Sequence, residues 1–251
     1  MTYAKGWIPD VPDQRDYFYS APAPIVAALP ASVDLRAGCP PVYDQGQLGS
    51  CTGNAIAGAI EFDRIKQGLP NFVPSRLFIY YNERVIEGTV GSDAGAMIRD
   101  GIKSVATAGA CSEDLWPYDI AKFMVQPGPV CYQAGKLDLA VRYERVIRQL
   151  DQFKSCLAAG FAFVFGFSVY DSFESQAVAQ TGQAPMPAPS EKMLDGHAVM
   201  AVGYDDATGR MLVRNSWGAG WGMSGYFTLP YGYFTDPNLS DDFWTIRLIG
   251  S

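Results

Sequence analysis

The sequence predicts an α+β chain, with helices gathered in its first half and strands in its second. Apolar residues recur at helical spacing as far as residue 159. From Phe161 onward they give way to apolar and aromatic runs of strand length, separated by turn residues. The chain has 251 residues, 48% of them hydrophobic, enough for one compact unit or two tightly packed halves. The predicted division is an extended leader over 1–31, a helical lobe over 32–125 and a β-rich lobe over 126–251.

Pro9, Pro12, Pro22, Pro24 and Pro30 break any helix in the leader. Trp7, Tyr17, Phe18, Tyr19 and the run Asp13-Gln14-Arg15-Asp16 predict a strap anchored on the body. That strap lies either along the back of the sheet half or across the functional cleft. Ser50 is a predicted N-cap for a long helix ending at Gln67, before Gly68 and Pro70. Its Ala55, Ala57, Gly58 and Ala59 permit close approach, so it reads as a buried central helix. Ser75 caps a second helix through Glu87, with Leu77, Phe78, Tyr81 and Val85 on one side. A third helix spans Ala94 to Ala108 through Ile98, Ile102 and Val105. The fourth, about Val146 to Ala159, places Ile147, Leu150, Phe153 and Leu157 on one face. Phe161 to Val169 reads as a buried strand and 176–192 as a loop. Segments 197–204 and 210–216 flank Asp205-Asp206-Ala207-Thr208-Gly209 as a hairpin, and Gly225 to Leu229 is a further strand.

A net charge of −7 disfavours nucleic acid or an anionic membrane surface as a partner. No apolar run approaches the roughly 18 residues needed to cross a bilayer, and the first ten residues lack an apolar signal core. The expectation is a cytoplasmic protein, or one exported by a route that reads no such signal. Five cysteines leave one unpaired under any pairing, and without a signal segment reduced thiols are expected. With one histidine and no CxxC spacing, neither a metal site nor a cofactor is expected.

Three short segments carry chemistry. Cys51 follows the predicted N-cap, where first-turn amides and the helix dipole stabilise a thiolate. His197 is the only histidine, so as a base it has no rival. Asn215, across the predicted hairpin, offers an amide oxygen to an imidazole N–H and orients the ring without adding charge. Taken singly these residues read as a buried thiol, a structural histidine and a turn asparagine. Taken together they are a nucleophile, its base and the group that orients the base. Cys39, Cys111, Cys131 and Cys156 read as small buried hydrophobes.

The three segments resemble the papain family of cysteine peptidases. His197 lies 146 residues after Cys51 (197 − 51), and Asn215 lies 164 after it (215 − 51). Gln45 matches the family glutamine that forms the oxyanion hole with the cysteine's own N–H. Gly203-Tyr204 and the run from Asn215 through Ser216, Trp217 and Gly218 to Gly222, followed by Gly225-Tyr226, are also similar. The likeness covers about residues 33–230. It implies a two-lobed fold: a helical left lobe whose central helix starts at the nucleophile, an antiparallel β-barrel-like right lobe, and a cleft between them. It also implies hydrolysis of peptide or protein substrates through a thioester, with Trp217 shielding the His–Asn bond from water. Gly95, Gly196, Ala198 and Trp217 are the expected substrate contacts. The pocket for the second residue before the cut, built from Gly95, Ala198 and a residue of the 161–169 strand, is expected to be apolar.

The departures from the family pattern are Leu48 and Ser92 in place of a disulfide pair, Thr52 in place of an aromatic residue on the cleft wall, and Ala94 before Gly95. With no room for a long helical propeptide, the chain resembles a bacterial-type branch, and an autoinhibitory contact of its own leader with the cleft is one of the two expectations for the strap. Two alternatives stay open: a sterically covered binding or effector protein of the same fold, and another thioester acyl transfer such as an amidase or transglutaminase.

Overall fold

Strand-length segments of the leader and of the second half meet around one buried helix in the computed structural model, which describes residues 4–138 and 141–248. In chain order the elements are β1 (Trp7–Ile8), α1 (Ala23–Ala27), β2 (Ser32–Asp34), α2 (Cys51–Lys66), α3 (Arg76–Glu87), β3 (Ala96–Met97), α4 (Ile98–Ala108), α5 (Pro129–Gly135), β4 (Val141–Arg145), α6 (Leu150–Ala158), β5 (Phe163–Tyr170), α7 (Gln176–Thr181), β6 (Met193–Asp205), β7 (Arg210–Arg214), β8 (Tyr226–Pro230), α8 (Tyr231–Thr235) and β9 (Ser240–Leu248).

α2 begins where its N-cap predicts and is buried from Cys51 through Arg64. Ser50 does not cap through its side chain, however. Its hydroxyl instead lies 2.5 Å from the Tyr118 hydroxyl and 3.0 Å from the Asn54 amide nitrogen. Gly53 lets α2 press onto α3, because a methyl group there would crowd the Arg76 carbonyl and Tyr80. Ser75 does cap α3, accepting the Phe78 N–H at 3.1 Å. The buried side of α3 is Leu77 through Tyr81, while Val85 is exposed. On α4, Ile98, Ile102 and Val105 are buried as expected, but Ala96–Met97 before it pair in parallel with Trp7–Ile8. α5 was not expected. Pro129 sits in its first turn, and Tyr132 packs on Phe78 with ring centroids 4.9 Å apart. Residues 129–135 therefore pack on the helical lobe, and the boundary drawn at 125/126 leaves them on the wrong side.

The large sheet runs β4-β9-β5-β6-β7-β8, all antiparallel, with β2 added on the edge of β6 beyond β5. β4 and β8 end the strand order without pairing with each other, so the lobe expected to be barrel-like is an open sheet among the described residues. The sheet gains three strands, β2, β4 and β9, that local patterning did not reveal; β9 opens with Ser240-Asp241-Asp242, which hides it. Alternation decides the two faces. From β5, Phe163, Phe165, Phe167 and Val169 join Val199 and Ala201 of β6 and Phe243 of β9 in one cluster. Val164, Ala198, Met200, Val202, Trp244 and Ile246 point the other way and pack on α2. Both faces are covered, so these strands read as continuous apolar runs.

α6 starts later than its pattern predicts, at Leu150, and leaves Ile147 exposed. Its Phe153 is fully buried and faces Phe163, Phe234 and Phe243 with centroids 5.5, 5.8 and 4.4 Å away. Phe153→Ala should lower the free energy of unfolding by about 3–5 kcal/mol, the cost of the lost burial and the cavity left behind. Denaturant titration checks this, with an unchanged slope expected.

Candidate active site

Cys51 is the first residue of α2, so free first-turn amides and the positive end of the helix dipole lie at its sulfur. Asp93 fixes the preceding loop by accepting the Gly49 N–H at 3.0 Å and the Tyr80 hydroxyl at 2.5 Å. The backbone amides of Ala198, Gly6 and Thr52 all favour the thiolate. Complete burial outweighs them and pushes the thiol up to about 12.

His197 sits on β6, and the β6–β7 hairpin brings Asn215 to it. Asn215 Oδ1 lies 2.8 Å from His197 Nε2. The same oxygen accepts the Ser216 N–H at 2.8 Å. An amide N–H can only donate, so the atom it faces is the oxygen, and Nε2 carries the proton. Nδ1 is buried with no hydrogen-bond partner among the described residues. Burial pushes the imidazole down to about 4 against the opposing Asn215 hydrogen bond, and the positive charge of Lys5 adds to the shift. Trp217 stacks on the ring at 4.7 Å and 23°, and Phe167 meets it edge-on at 5.8 Å. These aromatic walls keep water from the His197–Asn215 bond.

Gln45 is wholly buried and fixed at three points. Its N–H donates to the Ser216 carbonyl at 2.9 Å, its Oε1 accepts the Ser216 hydroxyl at 2.6 Å, and its Nε2 donates to the Leu48 carbonyl at 2.9 Å. That Nε2 also donates to the carbonyl of Ala4, in the leader, at 3.0 Å.

The leader passes directly through this constellation. Gly6 donates its N–H to the Gly196 carbonyl at 3.1 Å and accepts the Ala96 N–H at 2.7 Å. Gly95, at φ +74°, has no room for a side chain, because Gly6 presses on it. Farther along, Asp16 pairs with Arg99 at 2.5 Å and Arg145 at 3.3 Å, and Tyr19 is buried against the sheet lobe. The side chains of Tyr17 and Phe18 are exposed and the segment is held by its backbone, the Tyr17 carbonyl accepting the Arg145 N–H at 2.7 Å, while Arg15 pairs with its neighbour Asp13.

Cys51, His197, Asn215 and Gln45 thus converge. Gly95, Gly196 and Ala198 line the leader's path, whereas Trp217 stands over the imidazole. Thr52, expected on the cleft wall, is fully buried and bonds Glu83 at 2.5 Å. Sequence reasoning missed Gly166 and Asp242, which receive Trp7. The unexplained tryptophan in a proline-rich leader was the available signal. Among the described residues, no group of three or more His, Cys, Asp or Glu is placed to hold a metal, and no helix is long and apolar enough to cross a membrane.

A thiol at a helix N-terminus, an imidazole oriented by an amide and a nearby glutamine, set between a helical lobe and an antiparallel sheet, define a thiol hydrolase. The papain family cysteine protease profile matches residues 29–239, and the chain belongs to that family. It is 47% identical over 213 residues to an uncharacterized peptidase C1-like protein of Acanthamoeba polyphaga mimivirus, covering 81% of this chain and 68% of that protein. It is 29% identical over 222 residues to procathepsin L of Mus musculus, covering 82% of this chain and 62% of the relative. Xylellain, a cysteine protease from Xylella fastidiosa, superposes with a TM-score of 0.92 at 45% identity, over 99% of this chain and 97% of its own.

All five cysteines are free, and Leu48 packs against Leu77, Tyr80 and Ala96. A thiol count in denaturant without reductant should therefore give five. A count of one would mean two bridges.

Proposed function

We propose that the chain cleaves peptide bonds with Cys51 as nucleophile, His197 as acid–base, and Asn215 as the group that orients the imidazole. The observation that carries this is the state of the single histidine. Its Nε2 is committed to Asn215, its Nδ1 is left without a partner, and the next residue along β6 turns its amide toward the Cys51 sulfur. Nδ1 takes the thiol proton and the thiolate attacks the carbonyl carbon. The resulting oxyanion is stabilised by Gln45 Nε2 and the Cys51 N–H. The imidazolium then protonates the leaving amine, and water hydrolyses the thioester by the same route.

The leader holds this site closed in the reading proposed here. The Ala4 carbonyl takes up the Gln45 donor, and Gly6 fills the backbone positions offered by Ala96 and Gly196. Burial beneath it keeps the Cys51 thiol and the His197 imidazole uncharged at neutral pH, since one is raised to about 12 and the other lowered to about 4. Exposing the pair to water reverses both shifts and favours the thiolate–imidazolium form.

Cys51→Ala and His197→Ala should each reduce peptidase activity by several powers of ten, because each removes a chemical step. Gln45→Ala should lose on the order of 10²-fold in turnover. Steady-state kinetics on a fluorogenic peptide measures all three, and a Cys51→Ala enzyme with full activity rules the mechanism out.

Trp7→Ala in the full chain should raise the rate of Cys51 labelling by an active-site-directed epoxide at least tenfold. It is a cleaner probe than removing residues 1–24, because Tyr19 belongs to the core of the sheet lobe. Unchanged labelling with a lowered melting temperature would make the leader a structural strap only.

A further inference from the structure

The two donors that stabilise the oxyanion in the proposed mechanism come from separate places in the chain. One is the Gln45 side chain and the other is the Cys51 N–H at the start of α2. Four residues lie between Gln45 and Ser50, and Gly46 and Gly49 are among them, so the connecting chain does not fix the spacing by itself. Tyr118, on the segment between α4 and α5, reaches both ends of this connection. Its hydroxyl donates to the Gln45 carbonyl at 3.0 Å and lies 2.5 Å from the Ser50 hydroxyl.

The order of the protons follows from the donors present. A phenol has one proton, and the Gln45 carbonyl takes it, so the Ser50 hydroxyl donates to the Tyr118 oxygen. Ser50 Oγ in turn accepts the Asn54 side-chain amide at 3.0 Å. The same Asn54 nitrogen donates to the Ser50 carbonyl at 2.9 Å. Because a peptide unit is planar, holding that carbonyl also fixes the direction of the Cys51 N–H. Arg76 can only donate, and it bonds Asn54 Oδ1 at 3.2 Å, which settles which way the Asn54 amide faces. The same guanidinium nitrogen donates to the Asp44 carbonyl at 3.1 Å, and the guanidinium carbon lies 4.0 Å from the centre of the Tyr118 ring. None of these groups belongs to the leader, so the network outlasts its departure.

We infer that Tyr118 is a positioning residue of the oxyanion hole, its hydroxyl holding the segment that carries Gln45 at a set distance from the segment that carries the Cys51 N–H. This rests on the peptidase reading. The effect is exerted through Gln45 and Ser50, and it falls on the step in which negative charge appears on the carbonyl oxygen. Binding of the peptide in its ground state and the reactivity of the thiol do not draw on it.

The reference for the test is full-length Trp7→Ala enzyme. Tyr118→Phe keeps the ring on Arg76 and removes only the hydroxyl. It should lower kcat on a fluorogenic peptide about tenfold, since a displaced donor costs less than an absent one. KM should change by less than about twofold. Iodoacetamide alkylates Cys51 by displacing iodide from a saturated carbon and builds no oxyanion, so the rate and pH profile of that reaction should not change. Ser50→Ala cuts the same link from the other side and should give the same loss, with the double variant no slower than either single one. In a Gln45→Ala background, where the donor itself is gone, Tyr118→Phe should cost less than about threefold. Unchanged kcat in both Tyr118→Phe and Ser50→Ala, an equal loss in alkylation, or a full tenfold loss without Gln45 would each overturn the inference and leave the peptidase reading intact. A reference enzyme that cleaves no peptide, whether or not iodoacetamide reaches Cys51, would overturn both.

Discussion

The geometry of the site depends on one seam, where the first turns of α2 pack against the face of β6. Cys51, Ala55, Ile56 and Ala59 meet Ala198, Met200 and Val202 there, with Val164 of β5 and Trp244 of β9 beside them. This contact sets the height of the thiol relative to the strand that carries the imidazole. Strand alternation then does the rest. Ala198 faces α2, while its neighbour His197 turns to the opposite side, where Trp217 and Phe167 enclose it. Cys51, Ala55, Ala59 and Ala198 are the small members of this seam, and packing at interior density leaves little room to enlarge them.

Closing such a site with a piece of the same chain has an electrostatic consequence. A thiolate and an imidazolium are stable together in a polar cleft and unstable when fully buried. The leader therefore acts twice in the proposed closed form, once by occupying the positions a substrate needs and once by removing water from the pair. Its attachment is a set of hydrogen bonds and ion pairs around Asp10, Asp16, Arg99, Arg145 and Asp242. Burial raises the Asp10 carboxyl and pushes the Asp242 carboxyl up to about 7.

The helical half was largely legible, since a 3.6-residue period and residues such as Ser75 leave local marks. The misses there are instructive. Val85 and Ile147 fit an apolar stripe but lie at the ends of their segments, beyond the reach of any neighbour that could cover them. α5 is too short for a period to register, and its burial comes from Phe78 on another helix. In the sheet half, β5, β6 and β7 were readable, but β4 and β9 were not. Arg142, Glu144, Arg145, Asp241 and Asp242 interrupt the apolar pattern, and those charges are acceptable only because they pair with each other and with the leader.

The sequence by itself determined the chemistry of this protein: one thiol at a helix start, one histidine, an asparagine across a hairpin and a glutamine six residues before the thiol. Those identities are local and need no partner to be recognised. The tertiary structure decided what covers them and what surrounds them. Only folding sets Ala4 against Gln45, Gly6 against Gly196, and Trp7 in a slot floored by a residue 235 positions away. The physical reason is that extended backbone offers hydrogen bonds to any partner that folding brings alongside, so a leader of this kind carries no local signal of where it docks.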